Sequence, residues 1–224
     1  AEYMTRRIFT SLIAARNNGI NLAFLGSNTA YWQVRLESSP AGSDRRIAIY
    51  RDAETDPVTN PNLISIQFNN PRINMLPSLI TGETTAGVHV VGDMKVVEKP
   101  NWLTIPLDAH LNGWSPNTEI DSSVVGNFAP TNPHIIFSGK FRLTRLTKQN
   151  PALTAILASR SYEGQTIWFT TPSGSAVFVA GVNYWACELS YTCMEGNVNE
   201  NTRSTLQSVT EPVSYTHLRA HETR

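Results

Sequence analysis

Apolar and polar positions change rhythm three times along the chain. From Glu2 to Asn18, Met4, Ile8, Leu12 and Ala15 recur at three- and four-residue steps, with Arg6, Arg7 and Arg16 on a wetter flank. That spacing predicts an amphipathic helix, and Gly19 is its natural left-handed stop. Asn21 to Leu25 is a short apolar run of strand length, closed by the turn-forming Gly26-Ser27-Asn28. A helix, a glycine and a buried strand are how a parallel α/β layer advances. The loop at such a strand's carboxyl end is where ligands tend to bind.

The middle of the chain then alternates like β structure. Gln33 to Leu36 and Arg46 to Tyr50 read as strands joined by Pro40 to Asp44, and Leu63 to Phe68 as another. Val88 to Val91, Lys95 to Val97, Trp102 to Ile105 and Ile135 to Arg142 are short strand candidates punctuated by Pro, Gly and Asn. The first rhythm returns later. Ala155 to Ala158 and Thr166 to Thr170 are strand candidates, and Pro172 to Ser175 is a turn. Ala176 to Gly181 is a continuous apolar run, as expected of a strand buried on both faces. Asn199 to Thr210 reads as a helix, with Asn199 as cap and Val198 as a staple over the first turn. The expected architecture is an α/β layer with a β-rich insertion.

Composition narrows the classes. Hydrophobic residues are 41% and charged residues 16% of 224, enough apolar material for a core rather than a disordered tail. Lys+Arg and Asp+Glu are 18 each without a basic cluster, which argues against nucleic acid or a membrane surface as partner. No apolar run has the length of a membrane span. Two cysteines, Cys187 and Cys193, make no disulfide framework; idle thiols or one loop-closing bond remain open. Compartment is likewise open between cytoplasm and secretion.

Three segments carry a resemblance: Glu2-Tyr3-Met4; Gly26-Ser27-Asn28-Thr29-Ala30-Tyr31-Trp32-Gln33-Val34-Arg35; and Gly174 through Trp185. Asp56 to Thr59 and Pro77 to Gly82 fit more loosely. In order and separation these resemble the carboxy-terminal domain of the bacterial N,N-dimethylformamidase large (beta) subunit family. The resemblance implies a glutamine-amidotransferase-like (flavodoxin-like) α/β fold truncated at both ends. It also implies hydrolysis of a small amide, of the N-substituted formamide type, at a mononuclear iron site. That site is built from two tyrosinates and a glutamate, hard oxygen ligands that suit Fe(III). A small subunit and a homo-oligomer are the implied partners beside the amide substrate.

Carried onto this chain, the resemblance makes Tyr31 the first metal-ligand candidate, the alternative being a half-buried tyrosine with a satisfied hydroxyl. Tyr3 is the second, the alternative being packing. Asn28 is a turn former able to donate to a substrate carbonyl, and His110 a ligand or base against a plain surface histidine. His89 and His134 read as structural. The family's glutamate has no assigned position: around Ala109 to Trp114, and at Gly126-Asn127-Phe128, the chain departs from the pattern. That departure motivates the alternative of a non-catalytic binding or structural module that has lost its metal site. Gly26-Ser27-Asn28 lacks the full nucleophile elbow, so Ser27 is a weak nucleophile candidate, and the loop has no cysteine. Residues 1–212 are expected to form one domain fragment. Val213 to Arg224 reads as the translation of a sequencing adapter rather than native protein, so the spacing of His217 and His221 carries no metal reading.

Overall fold

The computed structural model describes residues 2–85, 90–115, 118–120, 131–143, 162–182, 185–189 and 200–219. The chain enters through β1 (Tyr3–Met4) and α1 (Arg6–Asn17). Thr5 caps α1, its hydroxyl accepting from the Ile8 N–H at 3.2 Å. Gly19, at φ 82°, ends it. The Gly19 N–H donates to Arg16 O and the Ile20 N–H to Ala15 O, each at 3.0 Å, the paired bonds of a Schellman motif. The predicted helix forms but starts at Arg6 rather than Glu2, because Tyr3 and Met4 pair as a strand with Trp32 and Gln33, and its inward face is rotated. Phe9 and Arg16 are buried while Ile8 is half exposed. Arg16, expected on the wet flank, donates to the Leu79 carbonyl and to Asn17 Oδ1, which satisfies the buried guanidinium.

Next come β2 (Leu22–Phe24), β3 (Trp32–Gln33) and the hairpin β4 (Arg35–Ser39) and β5 (Gly42–Ala48). A short helix α2 (Ser78–Thr81) leads into β6 (Glu83–Thr85), followed by β7 (Val90–Val96), β8 (His110–Ser115) and β9 (Thr118–Ile120). The last elements are β10 (Thr131–Leu143), β11 (Tyr162–Thr170), β12 (Ala176–Val179), α3 (Trp185–Glu188) and α4 (Glu200–Arg219). The main sheet has the order β2-β12-β11-β10-β7-β8. Its β2–β12 pair is parallel and the other pairs are antiparallel. Ala155 to Ala158 lie outside the described residues, as do Asn199, His89, Phe128 and Cys193.

Side-chain alternation places a core on each face of this sheet. Ile167, Phe169, Val177 and Val179 face one way, with Leu22 and Phe24 joining them to Phe9, Ile64, Ile66, Phe68 and Ile80 beneath α1 and α2. Phe178 and Ala180 face the other way and meet Trp185, Leu206, Val209 and Val213 from α3 and α4. The continuous apolar run of β12 is thus explained by burial on both faces. α4 continues through Pro212 beyond the helix predicted from the pattern.

Two predicted strands have a different form. Ile64, Ile66 and Phe68 are buried as their alternation requires. Their backbone, however, makes only the Trp32–Gln67 bridge and scattered bonds such as Gln33 N–H to Ile66 O at 2.8 Å. Leu103 and Ile105 are buried in a loop bounded by Pro100 and Pro106, where missing N–H groups stop a ladder.

Candidate functional site

Beyond the carboxyl end of β2 the backbone turns sharply. Asn28 and Ala30 hold left-handed angles, φ 52° and 56°, a conformation non-glycine residues keep only where surroundings over-determine it. Ala30 is fully buried, which fixes the turn. The N–H groups of Tyr31 and Trp32 then both donate to the Glu2 carbonyl, at 3.0 and 2.9 Å. β1 lies parallel to β3 with Tyr3 opposite Trp32 and Met4 opposite Gln33. This docking gathers Glu2, Tyr3, Tyr31 and Trp32, residues nearly thirty positions apart in the chain, onto one small ribbon.

The phenols are held by specific partners. The Tyr31 hydroxyl accepts from Gln67 Nε2 at 2.9 Å, and its ring meets Trp32 edge-on with centroids 5.2 Å apart. Arg51 donates to the Tyr3 hydroxyl. Its guanidinium lies over the Tyr3 ring at 5.3 Å and over the Trp32 ring at 5.4 Å. Burial raises the pKa of Tyr31, and the Glu2 charge raises it further. Burial likewise raises that of Tyr3. The Glu2 charge and a hydrogen bond to that carboxylate add to the rise, and Arg51 opposes it. Glu2 thus stands on the same ribbon as both tyrosines. Sequence alone assigned the family's glutamate no position; Glu2 stands beside Tyr3 in the matching triplet. Only the pairing of β1 with β3 turns that adjacency into a cluster.

Asn28 lies in the same loop, three residues before Tyr31, and its Oδ1 is buried without a hydrogen-bond partner. His110 is not brought to this cluster. It sits on β8 opposite Lys95, at the far edge of the six-stranded order from β2. Five strand spacings separate the two edges, roughly 24 Å along the sheet; the His110 side chain lies outside the described residues. Ser27 is buried in the turn.

The remaining matching residues support the ribbon from behind. Arg35 Nη1 donates to both Asp56 oxygens at 2.8 Å, and Arg35 Nε to Glu37 at 2.7 Å. Asp56 also accepts from the Ser65 N–H and hydroxyl at 2.7 Å and from the Val58 N–H at 2.9 Å. Burial alone would raise the Asp56 carboxyl; these hydrogen bonds overcome it and bring the pKa down to about 2. Ser65 in turn fixes Arg51, whose N–H donates to Ser65 O at 2.8 Å with φ at 63°. Arg35 and Asp56 thus position the chain that carries Arg51.

A second carboxyl also escaped the sequence reading. Glu83 is buried beside α2, and neither carboxylate oxygen has a hydrogen-bond partner. Burial pushes its pKa well above the usual carboxylate range. Among the described residues no three His, Cys, Asp or Glu side chains converge on a metal position. No helix among the described residues is long and apolar enough to cross a membrane.

Compared with curated proteins, the chain matches none. Residues 1–201 match the family model described as N,N-dimethylformamidase beta subunit-like, C-terminal, and the chain belongs to that family.

Proposed function

We propose that this chain takes part in hydrolysing a small amide of the N-substituted formamide type, with Glu2, Tyr3 and Tyr31 as oxygen donors to a single iron ion. The family is named for a beta subunit, that is, for one chain of a multi-subunit enzyme. The observation that carries the reading is the β1–β3 ribbon itself, which sets Glu2 and Tyr3 against Tyr31 and Trp32 beside a loop at a strand's carboxyl end. The donor chemistry fits, since carboxylate and phenolate oxygens suit Fe(III). Bound iron would supply a Lewis acid for the amide carbonyl or a more acidic water.

The chain's own groups do the positioning. Gln67 orients the Tyr31 oxygen, and Arg51 orients the Tyr3 oxygen. Both phenols hold their protons more firmly than free tyrosine, so metal uptake would release protons and strengthen as pH rises. Asn28 Oδ1, buried without a partner in the same loop, would accept a hydrogen bond from a substrate N–H. His110 has no part in this arrangement. We also read the layer as glutamine-amidotransferase-like; the parallel β2–β12 pair, with the candidate loop at its carboxyl end, supports that.

Iron content of the purified protein and turnover of short N-substituted formamides test the reading. Iron binding that is lost in Glu2→Gln and weakened in Tyr31→Phe is expected. No iron together with no turnover removes it. A second reading, a non-catalytic module on the same scaffold, is favoured by one observation: both phenol oxygens are already hydrogen-bonded within the chain. Iron-independent folding with no metal uptake at any pH would select it.

A further inference from the structure

The β4–β5 hairpin forms a two-stranded sheet of its own. Such a ribbon is marginal in water unless something packs on it. Every residue of β5 from Gly42 to Ile47 is exposed, and only Ala48 is buried. Leu36 and Ile47 face each other across the ribbon in register, yet are 46% and 60% exposed. Natural β proteins usually cover or charge such an edge.

A cleft of about 510 Å³ adjoins the arm, lined in part by Arg6, Arg7, Leu36, Asp44 and Leu63. Leu63 is 47% exposed there, so the apolar strip continues from the ribbon into the cleft. Arg45 shares the Ile47 face by strand alternation. Arg46 is already paired with Glu37. Arg6, Arg7 and Arg45 form no ion pair among the described residues, and Asp44 is the one acid among the described residues that line the cleft. The surface is therefore apolar at its centre and basic at its rim.

We propose that the β4–β5 arm and the adjoining cleft dock an extended segment of a partner protein that carries apolar side chains between carboxylates. Alternate side chains would enter the Leu36–Ile47–Leu63 strip, and carboxylates would meet Arg6, Arg7 and Arg45. The proposal is independent of the iron reading, since no residue of the tyrosine cluster lines the surface.

The test uses the full chain and a fluorescein-labelled peptide, Glu-Leu-Glu-Val-Glu-Leu-Glu, with a lysine-for-glutamate counterpart, read by anisotropy at low and high salt. Binding of the acidic peptide that weakens with salt is expected, reduced roughly tenfold or more in Leu36→Glu/Ile47→Glu and in Arg7→Glu/Arg45→Glu. Circular dichroism melts should match the parent for Arg7→Glu/Arg45→Glu, whose replaced side chains are exposed, and show a folded protein with a modestly lower midpoint for Leu36→Glu/Ile47→Glu, whose facing carboxylates repel. No binding, equal binding of the lysine peptide, or binding unchanged in both variants would overturn the proposal. So would a dimer in light scattering that the Leu36→Glu/Ile47→Glu variant abolishes, which assigns the face to a second copy of this chain.

Discussion

Two buried carboxyls respond to pH in opposite directions. Asp56 has a lowered pKa, about 2 against an ordinary 3.8. Its stabilisation is present above the unfolded value and is lost as pH falls through the folded one. Acid unfolding in urea should therefore steepen between about pH 4 and pH 2. Asp56→Ala should remove that limb and cost about 3–5 kcal/mol at neutral pH, because it breaks a buried ion pair and leaves Arg35 with Glu37 as its one carboxylate among the described residues. Glu83 is the reverse case. Its raised pKa means that stability is fully present below the unfolded carboxyl value and is lost as pH rises through the folded one. Urea midpoints measured from mildly acidic to alkaline pH should fall for the parent and stay flatter for Glu83→Gln. A parallel fall in both proteins would show that Glu83 is not the titrating group.

At the scale of elements, turns and edges decide what pairing can occur. Gly82 ends α2 at φ 77°, and a Cβ there would lie 3.1 Å from the Phe169 ring. Gly82→Ala therefore combines a left-handed angle with a crowded ring. It should destabilise by more than about 1 kcal/mol in chemical denaturation. The α1 period was legible because the apolar spacing and the Gly19 stop are local signals, whereas its start, set by the Thr5 cap after β1, was not. Its rotation was not legible: Ile8 and Phe9 are equally apolar, and contact with Phe68, at 4.7 Å between ring centroids, selects Phe9. The edge strand β8 was not predicted either, since His110 to Ser115 has no clean alternation and owes its form to pairing with β7.

For the whole molecule, the sheet is sealed by helices from both ends of the chain. α4 covers one face through Leu206, Val209 and Val213, and the Trp185 indole N–H donates to Thr210 Oγ1 at 2.9 Å. The family match ends at residue 201, before these contacts. Leu206→Ala should cost about 2–5 kcal/mol, measured as a lower denaturant midpoint, because its side chain is almost fully buried against the sheet.

The sequence by itself determined the first helix, its stop at Gly19 and the strand and turn that follow, while Tyr3 and Tyr31 were nominated by resemblance to the family. Those signals are local: helical spacing, a glycine stop, a turn after an apolar strand. Tertiary structure alone decided that Glu2 and Tyr3 dock beside Tyr31 and Trp32, that Arg51 and Gln67 hold the two phenol oxygens, and that His110 lies at the sheet edge opposite β2. Each of these depends on β1 docking against β3 or on the order of strands in the sheet. Hydrogen-bond pairing between distant segments sets both, and no residue spacing along the chain encodes them.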